Sequence, residues 1–269
     1  MTVLLLGWFI YQPASNSVYL LDDRTNLSGL ASVHDAESAL QFVVSGIAGP
    51  VGRPLSLATF LPQAAMWNES AAPFIRVNIA IHLLNGLLAC LFFLQLTRAR
   101  SGEHPNDKLI AIAAMALWLF LPLLASSSLM IVQRMATLTA TFMLLGLNGY
   151  LYARSRIESH SGTALTGMTA ALVLGTALAV LSKENGALLP VLVLVMEATL
   201  LKPPASVSMK RWRTWGLVFL ALPTAAVIVF LISYLPYSED TVLRRGMTGW
   251  ERLITQAGVL WEYLLNAFV

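Results

Sequence analysis

Two aspartates stand side by side in "SVYLLDDRTN", Asp22 and Asp23, a few residues after an apolar opening stretch. Paired carboxylates can accept a proton from an attacking hydroxyl, or hold a divalent metal such as Mg or Mn. Taken in isolation, such a pair is equally well read as two solvated loop acids. Cations recur further along: Arg53 in "GRPLS", Arg134 in "VQRM", and Lys183 beside Glu184 in "LSKEN". Each could steady a phosphate, and each has a plainer use. Arg53 serves equally as a lipid-headgroup anchor, Arg134 as a paired or snorkelling cation, and Lys183–Glu184 as an ion pair at a helix end. Asn78, His82 and Asn85, spaced four and then three apart, share one helix face. Hydrogen bonding between helices is the first reading of that face; support of the chemistry by Asn78 and His82 is the second. There is no HExxH, nucleotide-type phosphate loop or GxSxG, so soluble nucleotide-dependent chemistry is not expected.

The elements that must position these groups are membrane-like. The chain is 57% hydrophobic and only 12% charged, with a mean hydropathy of +0.70, far from the balance of a soluble domain. Its one cysteine, Cys90, lies in an apolar run and offers neither a disulfide framework nor a cysteine metal site. Apolar runs of spanning length predict helices over Val77–Leu96, Leu109–Ala125, Ala136–Tyr152, Ala164–Leu181, Gly186–Leu201 and Trp215–Tyr234. Met1–Tyr11 is apolar but too short to cross, and it lacks the basic start of a signal peptide. Leu253–Val269 is apolar to its last residue, and both ends read as cut.

Basic residues orient the spans. With a cytoplasmic N-terminus, three short inside loops carry Arg98, Arg100 and Lys108, then Arg154 and Arg156, then Lys202, Lys210, Arg211 and Arg213. That is nine of 17 lysines and arginines, as the positive-inside rule expects. Outside lie the long Gln12–Pro73 loop, a turn near Ser126–Arg134, the Ser182–Asn185 turn and Pro236–Arg252. Asp22, Asp23, Arg53, Arg134 and Lys183 then all face one external side. Within the long loop, Ser32 and Asp35 form a capping-box pattern, and Leu40, Val43, Val44 and Ile47 follow at amphipathic helix spacing. A Gly/Pro turn with Pro54 at a first helical position starts a second helix. Both are expected along the membrane surface, walling a cleft above the bundle.

Five stretches in order, "YLLDDRTNLSGL", "GPVGRPLSLATF", "FIRVNIAIHLLNGLL", "LMIVQRMATLTATFMLLGLNGYLYAR" and "AVLSKENGALLPVLVLVMEA", give the chain its resemblance. It resembles the polytopic GT-C glycosyltransferases, in the branch of the transmembrane-and-tetratricopeptide-repeat O-mannosyltransferases and their bacterial relatives. The resemblance implies an all-α integral membrane protein: a GT-C-like multi-helix bundle over residues 1–269, with amphipathic surface helices in the first external loop. Bacterial members often carry tetratricopeptide repeats after the membrane domain; none occurs here, which fits a chain cut after Val269. The resemblance further implies a polyprenyl-phosphate sugar donor and a catalytic carboxylate in the Asp22–Asp23 pair, with Asp22 favoured as base. Arg53, Arg134 and Lys183 match basic motif positions that would hold the donor phosphate. Glu184, His82 and Asn78 are supporting candidates on the residues themselves, outside what the resemblance implies. The chain departs from the pattern at Leu121–Ser128, "LPLLASSS", where the eukaryotic members have an "HPVHTE"-like stretch. That departure leaves open the metal, whether Mg, Mn or none, and the identity of the sugar.

The expected reaction is transfer of the sugar, with inversion, to a hydroxyl of an exported protein (Ser/Thr) or glycan acceptor. Membrane lipids are the other expected partners and nucleic acid is not one. The expected location is a bacterial inner membrane with the site facing the periplasm. Two other classes compete: a transporter or flippase for a lipid-linked sugar precursor, and a non-catalytic membrane scaffold. The former would carry charged or polar groups at mid-helix and internal repeats.

Overall fold

The computed structural model describes residues 2–16, 18–20, 22–47, 49–237, 246 and 249–268. Among them every regular element is helical. The chain runs α1 (Thr2–Tyr11), α2 (Asp22–Leu27), α3 (Ala36–Val44), α4 (Pro54–Ala58), α5 (Ala72–Ser101), α6 (Asp107–Phe120) and α7 (Pro122–Leu129). It continues through α8 (Arg134–Arg154), α9 (Ser161–Ser182), α10 (Leu189–Thr199), α11 (Met209–Gly216), α12 (Leu222–Tyr237) and α13 (Gly249–Phe268). Among the described residues three helical stretches are long and apolar enough to cross a membrane: α5, α9 and the joined Met209–Ser233. Counting the bent pair α6–α7 as one span makes four. Their outer faces carry large exposed apolar side chains, such as Leu174, Val229 and Ile232, a pattern costly in water and ordinary against lipid.

The differences from the expected spans have local causes. Leu109–Ala125 is not one helix: it breaks at Leu121, where the backbone turns extended, and α7 leaves at 60°. Pro122 lacks the N–H that would continue α6 and pushes Leu121 out of the helical region. Gly186–Leu201 opens with a 3-10 stretch, Glu184–Leu188, leaving α10 only 11 residues, about half of a ~30 Å hydrocarbon core. The Ala136–Tyr152 prediction becomes the 21-residue α8, about 31 Å long at 1.5 Å per residue. It falls outside the apolar spans because its buried residues include Thr137, Thr139, Thr141 and Asn148. Such residues suit the middle of a bundle: α8 packs mainly against α5 and α9. The predicted Trp215–Tyr234 helix begins earlier, at Met209, where the Ser208 side chain accepts from the Arg211 N–H. A π turn at Leu217–Ala221 precedes Pro223, which cannot donate to the turn behind it. Most of the predicted loop Pro236–Arg252 (238–245 and 247–248) lies outside the described residues, as does Val269.

Successive long helices alternate in direction, so the bundle has two ends. At one, Arg154 contacts the Lys202 carbonyl and Glu158 the 205–206 backbone, joining two of the basic loops. At the other, α2, α4, the start of α5 and the start of α8 share an apolar core built on Leu27, Phe60, Phe74, Ile131 and Met135. The capping box on α3 lies one turn later than expected. Asp35, not Ser32, is the cap: it accepts from the Ser38 N–H at 2.8 Å while the Ser38 hydroxyl reaches back to the Asp35 N–H. Ser32 ends a 3-10 turn before it. On α3 only Phe42 is buried, whereas Leu40, Val44 and Ile47, just beyond the helix, point outward at 63, 69 and 79% exposure. Among the described residues nothing covers that apolar face.

Candidate active site

The two aspartates, equivalent in the sequence, are held differently. They begin the short helix α2. Asp23 is 1% exposed, its Oδ2 accepting from the Leu20 N–H and its Oδ1 from the Val132 N–H, both at 2.8 Å. A buried carboxylate is tolerable when its oxygens are met by donors in this way. Asp23 therefore fastens α2 to the segment leading into α8. Asp22 points outward, exposed, and its side-chain oxygens have no partner among the described residues; only its carbonyl is engaged, by Asn26 Nδ2 at 2.9 Å. A candidate base needs this access, and the Asp23 anchor supplies its fixed position.

Arg134 is corrected from its expected place. It is fully buried and reaches no surface on which a phosphate could meet it. Its Nε donates to Asn78 Oδ1 at 2.8 Å, Nη1 to the Thr59 carbonyl at 2.9 Å, and Nη2 to Gln63 Oε1 and the Phe74 carbonyl at 2.8 and 3.0 Å. The Phe60 ring lies 4.0 Å beneath the guanidinium. Four neutral acceptors and a ring face replace its hydration shell. Arg134 rivets the first loop to α5 and α8; the snorkelling alternative is ruled out as well.

Arg53 and Lys183 do come together. Arg53 takes a left-handed backbone, φ 58°, just before Pro54 starts α4. The loop before it folds against Glu184: a Cβ on Gly49 (φ 73°) would sit 1.5 Å from Glu184 Oε1, so only glycine permits this approach. Arg53 grips Glu184 with two donors, Nε to Oε1 at 3.2 Å and Nη2 to Oε2 at 3.0 Å, while Nη1 faces Met135 Sδ at 3.5 Å. Ser56 Oγ donates to the Ser182 carbonyl at 3.0 Å, locking α4 to the end of α9. Lys183 follows in extended conformation. Burial pushes the pKa of its ammonium down, the Arg53 charge pushes it further, and Glu184 offsets part of this. Two cations and one carboxylate leave the cluster with one uncompensated positive charge, on a partly exposed surface.

Asn78, His82 and Asn85 belong to the bundle. Asn78 Nδ2 donates to the Met130 carbonyl at 2.9 Å and Asn85 Nδ2 to the Thr137 carbonyl at 2.8 Å. His82 Nε2 lies 3.2 Å from the Leu119 carbonyl, which also accepts from the Tyr11 hydroxyl at 2.8 Å. A carbonyl only accepts, so Nε2 carries the hydrogen. That carbonyl is left without a helical partner by the break before Pro122. His82 thus caps a helix end, and Asn78 bonds the backbone before α8 and Arg134, which is the hydrogen bonding between helices that is the first reading of this face.

Sequence reasoning passed over Ser56, Gln63 and the Val132 N–H, the groups that join the motifs to one another. Ser56 and Ser182 stand inside the quoted "GRPLS" and "LSKEN" stretches, but nothing in their spacing announces that they meet. Among the described residues no three His, Cys, Asp or Glu side chains gather as a metal site. With both Asp23 oxygens committed to backbone N–H groups, Asp22 is the one open carboxylate of the pair, too few donors for an all-protein Mg or Mn cage. No protein-family model, curated protein or solved structure matches this chain.

Proposed function

We propose that the chain is a membrane glycosyltransferase that moves a sugar from a polyprenyl-phosphate donor to an acceptor hydroxyl, a protein Ser/Thr or a glycan. The observation that carries this reading is the asymmetry of the aspartate pair: one carboxylate is buried as an anchor and its neighbour is free, at the same end of the bundle as Lys183 and Arg53. Asp22 accepts the proton of the acceptor hydroxyl as its oxygen bonds to the anomeric carbon. The bond from that carbon to the phosphate oxygen breaks on the opposite face, so configuration inverts. The leaving polyprenyl phosphate keeps the electron pair, and Lys183, with Arg53 beside it, meets the charge that grows there. Among the described residues Lys183 forms no ion pair, whereas Glu184 holds Arg53. The donor lipid stays in the bilayer, which suits a site at the end of apolar helices. The outward face of α3 (Leu40, Val44, Ile47) suits the membrane surface. Clustering of basic loops at the opposite end supports placing the site on the external, periplasmic face.

The test uses the purified chain in liposomes with a polyprenyl-phosphate hexose and a Ser/Thr peptide, followed by mass spectrometry of the peptide. A hexose mass added by the wild type and lost in Asp22→Asn is the expected result. Movement of the lipid-linked sugar across the vesicle with no product would overturn it in favour of a flippase.

A further inference from the structure

A groove of about 910 Å³ opens at the basic end of the bundle, remote from Asp22, between α5, α8 and the connection after α10. Leu88, Leu91, Gln95 and Arg98 follow one stripe of α5 along it, at the three- and four-residue spacings that keep side chains on one face. The stripe turns from apolar to basic over ten residues, about 15 Å of helix. Leu145 of α8 faces the groove too, and both Leu91 and Leu145 are nearly half exposed, at 44 and 48%. At the mouth stand Arg98, Arg100 and Lys202.

These cations are poorly neutralised. Arg98 meets Glu103 at 3.3 Å, but that acid is 80% exposed, so the pair is weak and screened. Arg100 and Lys202 form no ion pair among the described residues. The acid lining the groove, Glu158, spends its oxygens on the Ala205 and Ser206 N–H groups, each at 2.9 Å. Arg154 is closed off by Glu197, and in turn fixes the Lys202 carbonyl at 2.7 Å. An apolar wall at membrane depth leading to three cations at the surface matches an amphiphile with an anionic head.

We propose that this groove seats one anionic membrane phospholipid, its phosphate against Arg98, Arg100 and Lys202 and an acyl chain along Leu88, Leu91 and Leu145. The site is independent of whatever reaction the opposite end performs. The test equilibrates the full chain in mild detergent with equimolar phosphatidylglycerol and phosphatidylcholine and counts retained lipids by native mass spectrometry. The wild type retains one phosphatidylglycerol with a preference of about tenfold or more. R98Q/R100Q/K202Q loses that preference with an unchanged circular dichroism spectrum, because all three residues are exposed. Leu145→Trp, which fills the apolar wall, lowers retention of both lipids. Equal retention of the two lipids by the wild type would overturn the site, as would a preference that survives the triple substitution. Dimers in place of lipid adducts would assign the groove to a second copy and overturn it equally.

Discussion

Each end of the bundle holds an arginine–glutamate pair, and the two are built to different ends. At the basic end Arg154 and Glu197 are 10 and 9% exposed, and Tyr150 donates a further hydrogen bond to the carboxylate. Trp212 lies 5.9 Å from the guanidinium. Both charges of this pair are answered, and the group acts as a rivet between α8 and α10. At the site end Arg53 and Glu184 are 19 and 28% exposed, and the lysine beside them forms no ion pair among the described residues. The rivet at that end is a different residue, Arg134, with its neutral acceptors. The buried guanidinium of Arg134 has its donors taken up by neutral acceptors, whereas the Arg53–Glu184 pair is left partly solvated.

The sharpest way to break this comparison is to remove the anion from each pair. Glu197→Gln strands a buried guanidinium and costs about 4 kcal/mol, seen as a large fall in the thermal midpoint of the detergent-solubilised protein. The same substitution at Glu184 costs about 1 kcal/mol or less, because water reaches that pair. Similar losses at the two sites would erase the distinction. Arg134→Met is expected to resemble Glu197→Gln, at roughly 3–5 kcal/mol, leaving Asn78, Gln63 and two carbonyls without their donor; the same unfolding measurement checks it.

On the proposed glycosyltransferase reading, the next effect is catalytic and separates the two aspartates. Asp22→Asn is expected to lower the transfer rate roughly 100-fold with an unchanged thermal midpoint. Asp23→Asn lowers the midpoint by an amount corresponding to about 1–3 kcal/mol. Reversed outcomes would exchange the roles of base and anchor.

The smallest effect is a pH dependence. The Lys183 ammonium loses its proton at a lower pH than an ordinary lysine, mainly through burial. Its charge is complete below that depressed pKa and disappears as pH rises through it. Donor affinity, followed by titrating a polyprenyl-phosphate sugar, should therefore weaken on the alkaline side before an unperturbed lysine would titrate. Lys183→Met should remove that alkaline limb, whereas Lys183→Arg should move it beyond the accessible range.

Much of the organisation was legible in residue order. Apolar runs announced α5, α9 and the helix through Trp215, and the nine loop cations announced that one end of the bundle would be basic. Pro54 marked a helix start. Boundaries governed by one residue were harder: Pro122 was in view, yet a hydropathy run through it still read as one helix. The capping box slipped by a turn because Ser32 and Asp35 match the pattern as well as Asp35 and Ser38 do. The site residues were legible as types and not as roles. Arg53 and Arg134 are both arginines in short motifs beside an apolar run, and no local pattern says which one is buried.

The sequence by itself determined that this is a helical, apolar chain with its cations gathered at loop ends, because composition and periodicity act locally along the chain. Only the tertiary structure decided which aspartate is anchor and which is free, that Arg134 is a rivet, and that Arg53 and Lys183 share one surface with Glu184. Those roles depend on desolvation and on donors such as the Val132 N–H, 109 residues from Asp23. Such partners exist only once the helices have packed.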